Sequence, residues 1–266
     1  MLDAYNRKIT YLRVSVTDRC NLRCRYCMPE EGIQLLKHDD ILSLEEIAEV
    51  IREGAKMGLK KIRLTGGEPL VRKGIVQLVE MIKQVEGIEE IAMTTNGVLL
   101  GEYAKDLKKA GLNRVNISLD TLDAEEFRSI TRLGNINDVL KGIKAAREAG
   151  LTPIKINVVK TKFSNKQNID DIKQFCLDEG LNIRFIHQMD LETGDFSVVE
   201  GGEGGNCQLC NRLRLMANGD IKPCLFSNSG FNVRQHGIKE AFQLALGAKP
   251  LEGTINQNHK FYNIGG

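Results

Sequence analysis

Residues 17–28 read Thr-Asp-Arg-Cys-Asn-Leu-Arg-Cys-Arg-Tyr-Cys-Met, which gives Cys20, Cys24 and Cys27 the spacing C-x3-C-x2-C. The stretch follows directly on a β-branched, strand-like segment that runs from Tyr11 to Val16. Three thiolates can hold three irons of a [4Fe-4S] cluster, whereas a cluster that only transfers electrons normally has cysteine on all four irons. The spacing therefore predicts a cluster with one open iron, which can bind a further ligand.

A structural zinc site is the alternative for this triplet. Zinc sites usually take four ligands, commonly as two C-x2-C pairs or as a combination of cysteine and histidine. The nearest histidine, His38, lies beyond an acidic, polar stretch, and no fourth cysteine is near. The local spacing favours the iron–sulfur cluster over zinc.

Composition indicates a compact enzyme that stays in the cytoplasm. The chain has 266 residues and a net charge of +2, a size that is ordinary for a barrel-type α/β fold and a charge too weak to indicate a nucleic-acid surface. Residues 1–10 contain no apolar core of signal-peptide length, and no apolar run is long enough to span a bilayer. In a reducing compartment, the seven cysteines favour metal ligation over disulfides.

Helical and strand-like patterns alternate along the first two thirds of the chain. A Gly-Leu pair closes four of the helical stretches, as a glycine helix cap does before the next strand; these pairs begin at Gly58, Gly111, Gly150 and Gly180. The patterns predict strands at 11–16, 61–65, 88–94, 114–119, 154–159 and 183–188, and helices near 43–57, 74–86, 99–110, 137–149 and 167–179. We therefore expect an incomplete parallel (βα)6 barrel over residues 1–189, followed by a small C-terminal iron–sulfur cluster region at 190–266.

Parallel barrels place their chemistry at the carboxyl ends of the strands, and the informative loops fall there. The cysteine triplet follows the first strand, Thr65-Gly-Gly-Glu-Pro69 the second, Thr94-Thr-Asn-Gly97 the third and Ser118-Leu-Asp120 the fourth. The Gly66-Gly67 pair is open to two interpretations: a tight strand-to-helix turn, or a backbone that approaches a bound ligand without a side chain in the way.

A second triplet lies near the C-terminus, where Cys207, Cys210 and Cys224 have the spacing C-x2-C-x13-C. Asn218-Gly219 is a type I′ hairpin signal between two alternating strands, so the hairpin should bring Cys224 back toward the other two. The strand period of two puts Arg212 and Arg214 on the same face as Cys210. Both a second open [4Fe-4S] cluster and a small zinc knuckle fit this spacing.

The first triplet resembles the signature of the radical S-adenosylmethionine (SAM) enzymes, in which the open iron chelates SAM. Together with the T-G-G-E-P-L-V-R loop, C-x2-C-N-R-L-R-L, P-C-L-F and a terminal Ile-Gly-Gly, it resembles the GTP 3′,8-cyclase family, molybdenum cofactor biosynthesis protein A. The resemblance implies abstraction of the ribose C3′ hydrogen of GTP and bonding of C3′ to C8 of guanine. It also implies two [4Fe-4S] clusters, with SAM on the first and the guanine edge on the second.

The resemblance implies site residues as well. Cys20, Cys24, Cys27, Cys207, Cys210 and Cys224 would hold the clusters. Tyr26, Gly67, Ser118 and Met189 would contact SAM. The GTP site would be lined by Arg13, Arg63, Thr94, Lys155, Arg184, Arg212 and Arg214, with Arg212, Arg214, Gly265 and Gly266 as catalytic residues. The implied partners are GTP, a flavodoxin- or ferredoxin-type electron donor, the cyclic pyranopterin monophosphate synthase that receives the product, and a second copy of the chain in a homodimer.

One segment departs from the family pattern. Only a short, glycine-rich stretch, 191–206, joins Met189 to Cys207, where the family usually carries a much longer insertion. The difference bears on the exact substrate more than on the class of reaction. Two alternatives stay open: a radical SAM enzyme that acts on a peptide or another small molecule, and a non-catalytic iron–sulfur or zinc scaffold. Cleavage of SAM on reduction would discriminate an enzyme from a scaffold.

Overall fold

A single nine-stranded sheet, in the order β6-β5-β4-β3-β2-β1-β7-β8-β9, forms the frame of the protein. The computed structural model describes residues 1–161, 164–190 and 192–257. Every pairing from β6 across to β7 is parallel, and β8 and β9 are added antiparallel. The strands are β1 (Tyr11–Ser15), β2 (Lys61–Thr65), β3 (Glu90–Thr95), β4 (Arg114–Ser118), β5 (Lys155–Lys160), β6 (Asn182–His187), β7 (Arg212–Leu215), β8 (Asp220–Lys222) and β9 (Phe231–Asn232).

Helices connect the parallel strands, as the alternating pattern predicts. They are α1 (Leu44–Lys56), α2 (Ile75–Lys83), α3 (Leu100–Ala110), α4 (Ala124–Thr131), α5 (Ile136–Glu148), α6 (Lys166–Asp178), α7 (Val233–His236) and α8 (Ile238–Gly247). The prediction of an incomplete (βα)6 barrel is confirmed. None of the described helices is long and apolar enough to cross a membrane.

The sequence patterns missed α4, α7 and α8. For α4 the sequence does contain a start signal, because aspartate is a preferred N-cap residue and Asp123 precedes the helix. In the structure its side chain accepts a hydrogen bond from the Glu126 amide, as an N-cap does. Helices α7 and α8 follow the second triplet, and α8 packs against α1, β8 and β9.

The parallel strands divide their side chains between an apolar and a polar face. In β1, Leu12 and Val14 are fully buried in the main hydrophobic core, which the helices share. Because strand side chains alternate, Tyr11, Arg13 and Ser15 lie on the opposite face. We call this opposite face of β1 to β7 the inner face. The core of the protein therefore lies between sheet and helices, and the inner face is left for polar side chains.

The C-terminal hairpin extends the barrel sheet. Strand β7 runs parallel to β1, with Arg13 opposite Arg214, and β8 folds back along β7. The predicted hairpin is present, but its turn is not type I′: Gly219 has a positive φ of 93° and Asn218 does not, as in a type I turn followed by a left-handed glycine. The domain boundary between residues 189 and 190 stays a prediction, since strands from both sides of it share one sheet.

Two helical glycines give a test of how tightly the helices pack. A Cβ on Gly142 in α5 would lie 2.4 Å from the Gly97 carbonyl oxygen, whereas a Cβ on Gly101 in α3 would meet nothing within 4 Å. We expect Gly142→Ala to destabilise the protein by about 1–3 kcal/mol, because backbone must move. Gly101→Ala, the matched control, should stabilise it by about 0.5–1 kcal/mol. Anaerobic denaturant unfolding measures both, and equal effects would contradict the packing.

Candidate active site

The first triplet lies in the loop that leaves the carboxyl end of β1. The amides of Cys27 and Met28 both donate to the Cys24 carbonyl, at 3.0 and 2.9 Å, so the loop turns tightly around the cysteines. Burial, followed by the charges of neighbouring groups that include the other thiols of the triplet, raises the pKa of Cys24 to about 12 and that of Cys27 to about 11. The three sulfurs are therefore close enough to interact, and they would exchange their protons for metal on binding.

The Gly66-Gly67 pair packs against the backbone just before Cys20. A Cβ on Gly66 would lie 2.5 Å from the Thr17 carbonyl oxygen, and one on Gly67 would lie 2.3 Å from that of Arg19. The Gly67 amide donates to the Thr17 carbonyl at 2.9 Å. The glycines thus allow two loops from adjacent strands to run side by side. The predicted contact between Gly67 and SAM stays a prediction.

Glu68 connects this loop to the end of β3. Its buried carboxylate accepts hydrogen bonds from the amide of Leu70 (3.0 Å), the hydroxyl of Thr95 (2.7 Å) and the amide of Asn96 (2.7 Å). Burial raises the pKa of Glu68 to about 7, against the effect of these donors. The side-chain nitrogen of the same residue, Asn96 Nδ2, lies 2.7 Å from the Asn21 side-chain oxygen and 3.9 Å from the Cys20 sulfur. Glu68 therefore orients a group that contacts the triplet.

Tyr26 attaches the other side of the cysteine loop to β4 and β5. Its hydroxyl donates to Asp120 at 2.8 Å, and the second oxygen of Asp120 accepts from the Val159 amide at 2.7 Å. Burial raises the pKa of Asp120 to about 6, while the two hydrogen bonds act in the opposite direction. The Tyr26 hydroxyl is thus engaged in holding the loop, and a contact with SAM would use other atoms of this residue.

Arg132, which the sequence reasoning missed, braces the same loop. Its guanidinium donates to the carbonyls of Arg23 (2.7 Å) and Met28 (3.0 Å), which flank Cys24 and Cys27. Its backbone has a φ of 63°, a left-handed conformation that is costly for a residue with a side chain. Backbone strain of this kind has no signal in a single sequence.

Cations cover the inner face of the sheet. The strand register places Arg214, Arg13 and Arg63 side by side on β7, β1 and β2. Burial, followed by the charges of Arg214, Arg63 and Arg212, holds the pKa of Arg13 well below its usual range, although Tyr11 opposes this shift. Burial and the neighbouring Arg212 likewise lower the pKa of Arg214 to about 10. Like charges in this row repel one another, so an anion placed among them would be stabilised.

Tyr11 lies between the arginines. Its hydroxyl accepts a hydrogen bond from Arg63 Nε at 2.6 Å, and the Arg212 guanidinium lies 5.8 Å from the ring centroid. Burial acts to raise the pKa of Tyr11, but the charges of Arg63, Arg13 and Arg212 outweigh it and lower the pKa. Arg63 also lies 3.3 Å from the Thr94 hydroxyl, so two predicted substrate residues are in contact.

The cationic inner face continues to β5 and β6. The pKa of Lys155 is lowered by burial and then by the charges of Arg184, Arg114 and Arg63. A cavity of about 710 Å³ opens here at the amino ends of the strands; its lining includes Lys61, Arg114, Lys155, Arg184, Glu90 and Glu203. Glu90 forms an ion pair with Arg114 at 2.6 Å. Arg114 on β4 thus adds a seventh cation to the six predicted ones, and the sequence reasoning did not select it.

The second triplet lies at the opposite end of the strands from the first. Cys210 precedes the start of β7 by two residues, and Cys224 follows the end of the antiparallel β8 by two. Burial acts to raise the pKa of Cys210, but the charges of Lys249 and Arg212 lower it. Since β1 has five residues of about 3.3 Å each, roughly 16 Å of cationic inner face separates the two triplets.

Met189 and Ser118 have different surroundings. Met189 belongs to a small apolar cluster with Met216, Phe226 and Cys224, near the second triplet. Ser118 ends β4 and pairs in register with Asn157 on β5, at the same end of the sheet as the first triplet. Their predicted contacts with SAM stay predictions. Gly265 and Gly266 lie outside the described residues.

Each triplet offers three thiols, which is one for each of three irons of a cubane and one fewer than the four ligands that a structural zinc ion usually takes. Within the described ranges, no group of three or more Cys, His, Asp or Glu side chains is placed to hold a metal ion. A zinc ion needs its ligands within about 2.3 Å of one point, whereas a cubane takes each thiolate on a different iron. All six cysteines are partly exposed, and Cys176 is buried, as expected for a structural thiol.

Known proteins share the fold and much of the sequence of this chain. The sequence profile of the Radical SAM superfamily matches residues 14–176. A GTP 3′,8-cyclase of Petrotoga mobilis is 40% identical over 313 residues, covering 98% of this chain and 97% of the relative. The chain belongs to the GTP 3′,8-cyclase family of radical SAM enzymes. Relatives of the same name from Moorella thermoacetica and Peptoclostridium acidaminophilum are 43% and 45% identical, over 95% and 86% of this chain and 94% and 84% of theirs.

Solved structures agree on the fold. Streptococcus suis SuiB bound to S-adenosylmethionine has a TM-score of 0.67 at 17% identity, over 92% of this chain and 67% of that chain. The structure described as native anSMEcpe with bound AdoMet has a TM-score of 0.65 at 14% identity, over 88% and 80%. Membership of the radical SAM family implies a [4Fe-4S] cluster on the first triplet and SAM as its cofactor.

The GTP 3′,8-cyclase relatives are longer than this chain. Their alignments with it extend over 313 and 306 residues, more than its own 266, so the relatives carry residues that it lacks. In this chain Glu200 pairs with Phe185 of β6 as an antiparallel bridge, and its carboxylate contacts Lys160 and His187 at 2.9 and 2.8 Å. The short segment before Cys207 therefore runs back along the free edge of β6.

The glycine contact before Cys20 gives a test of the first triplet. We expect Gly67→Ala to displace the cysteine loop, because the new Cβ would fall 2.3 Å from the Arg19 oxygen. Anaerobically reconstituted Gly67→Ala should lose most first-cluster iron and at least tenfold in reductive SAM cleavage, with Gly101→Ala as the control. Parental iron content and cleavage rate in Gly67→Ala would contradict the geometry.

Proposed function

We propose that the protein converts GTP to (8S)-3′,8-cyclo-7,8-dihydroguanosine 5′-triphosphate, the first step of molybdenum cofactor biosynthesis. The observation that supports this most is the cationic inner face that lies between two cysteine triplets at opposite ends of the strands. The printed name of the relatives that share 40–45% identity with the chain is that of this activity. When bound, the first cluster and SAM supply the 5′-deoxyadenosyl radical that removes the C3′ hydrogen.

The chain's own residues would bind and orient the substrate. A triphosphate is a polyanion, and Arg63, Lys155 and Arg184 offer it cations whose mutual repulsion it would relieve. Arg212 and Arg214 lie at the β7 end of the same face, close to Cys210 and Cys224. The phosphates would thus lie among the strand cations, and the base would point toward the second triplet.

A second [4Fe-4S] cluster on Cys207, Cys210 and Cys224 is part of the proposal. Its open iron would bind the guanine edge, which requires the triplet to face the substrate. The cysteines lie at the amino ends of the strands, the same end at which the cavity lined by Lys155 and Arg184 opens. An external flavodoxin or ferredoxin as electron donor, transfer of product to cyclic pyranopterin monophosphate synthase, a homodimer and a cytoplasmic location complete the proposal.

The direct experiment follows the hydrogen atom. The anaerobically reconstituted enzyme is incubated with SAM, dithionite and GTP deuterated at C3′, and 5′-deoxyadenosine is analysed by mass spectrometry. We expect a single deuterium in 5′-deoxyadenosine together with the cyclised triphosphate, and no deuterium from GTP labelled at C2′. SAM cleavage that neither depends on GTP nor carries the C3′ label would reject GTP as the substrate and favour the alternative that the enzyme acts on a peptide or another small molecule.

Because Lys155 is repelled by neighbouring cations, we expect Lys155→Met to lower activity without lowering the stability of the fold. Removing this ammonium relieves repulsion with Arg184, Arg114 and Arg63 but deletes a contact to phosphate. We expect a melting temperature equal to or above that of the parent, and a decrease in kcat/KM for GTP of about tenfold to a hundredfold, the value of a charge-assisted hydrogen bond.

The matched control is Lys144→Met, which removes an exposed ammonium from α5. It should leave both quantities unchanged. Parental kcat/KM in Lys155→Met, or a melting temperature that falls well below that of Lys144→Met, would show that Lys155 serves the fold and not the substrate.

A further inference from the structure

Lys249 has an almost fully buried ammonium beside the second triplet. Lys249 comes two residues after the end of helix α8 and is 2% exposed. The ammonium donates hydrogen bonds to the carbonyls of Arg212 and Pro223, each at 2.8 Å. The first carbonyl lies two residues after Cys210, and the second lies immediately before Cys224. One buried cation thus joins the two arms of the hairpin that carry these cysteines.

A buried cation needs hydrogen bonds or negative charge nearby to offset the loss of its hydration. Lys249 has the two carbonyls, and its charge also acts on the thiols of Cys210 and Cys224, the former within hydrogen-bonding reach. No carboxylate forms an ion pair with it among the described residues. Once deprotonated to hold a cluster, the sulfurs of Cys210 and Cys224 would supply the negative charge that complements this ammonium.

The residues after Lys249 secure the third cysteine of the triplet. Arg7, next to β1, donates to the carbonyls of Pro250 (2.6 Å) and Leu251 (2.8 Å) and also to the carbonyl of Cys207 (2.7 Å). Asp3 holds Arg7 through an ion pair of 2.6 Å. Through the segment 249–251, the backbone around all three cysteines is therefore tied to one short stretch of chain.

We propose that Lys249 is a positioning residue for the second triplet, which holds Cys210 and Cys224 in register and sets the reduction potential of the cluster that they bind. The proposal rests on the second cluster of the proposed function. Hydrogen bonds and charge around the cysteine sulfurs are among the factors that set the potential of an iron–sulfur cluster. A cation near the sulfurs stabilises the more negative, reduced cluster, so its removal should make reduction harder.

The test compares Lys249→Met with the parent and with Lys239→Met, which removes an exposed lysine from α8. Methionine keeps the length of the side chain and removes the charge and its donors. All three proteins are reconstituted anaerobically, and iron is counted, with about eight atoms per chain expected for two clusters. Low-temperature electron paramagnetic resonance during a redox titration then gives the midpoint potential of each cluster.

In Lys249→Met we expect the midpoint potential of the second cluster to become more negative by about 59 mV, which lowers the ratio of reduced to oxidised cluster about tenfold for one electron. The potential of the first cluster should not change. Selective loss of second-cluster iron would support the same role. Lys249→Arg, which keeps the charge, should lie nearer the parent.

Three results would overturn the proposal. Potentials and iron content equal to those of Lys239→Met would show that Lys249 does not act on the cluster. Loss of both clusters together with a lowered melting temperature in both Lys249→Met and Lys249→Arg would assign Lys249 to folding alone. A parent protein with only one cluster's worth of iron would reject the second cluster, and with it this role of Lys249, whereas C3′ hydrogen abstraction would still be tested separately by the deuterium label.

Discussion

Mutual repulsion among the cations of the inner face sets the electrostatics of the space between the two triplets. Parallel strands put every second side chain on this face, and the register aligns Arg13, Arg63 and Arg214 across three neighbouring strands. Closed (β/α)8 barrels fill the corresponding space with branched apolar residues. Here the apolar side chains pack under the helices, and the hydrophobic core they form stabilises a sheet whose other face carries cations of like charge. Stability and function are thereby assigned to opposite faces of the same strands.

The two ends of the strands are built by different means. At the carboxyl ends, loops from adjacent strands are locked together: glycines allow close backbone contact, and Glu68, Asp120 and Arg132 connect the cysteine loop to its neighbours. At the amino ends, residues distant in sequence are gathered by buried or partly buried cations, Arg7 and Lys249, that donate to main-chain carbonyls. A substrate between the triplets would therefore contact two separately supported centres, each fixed by hydrogen bonds that do not involve the substrate.

Patterns within short stretches of sequence predicted the elements that form within those stretches. The six barrel strands, five of the helices and both cysteine triplets could be read from periodicity, glycine caps and spacing, and strand β2 matches its predicted range, 61–65. Pairing between distant segments could not be read in this way. That β7 joins β1, and so places Arg214 beside Arg13, depends on non-local packing. The roles of Tyr11, Arg132 and Lys249 likewise arise from neighbours distant in sequence, and nothing in their own surroundings along the chain signals them.

Calorimetry on the anaerobically reconstituted protein would show whether the inner face binds a polyphosphate. The quantity to measure is the affinity for GTP, GDP, GMP and guanosine, at low and at moderate salt. If the strand cations hold the phosphates, affinity should fall at each removal of a phosphate, and the decrease from GTP to GMP should shrink as salt rises, because screening weakens the charge contacts. The Lys144→Met protein should show the same series as the parent. Equal affinity for GTP and guanosine, with no dependence on salt, would show that the strand cations do not bind the phosphates.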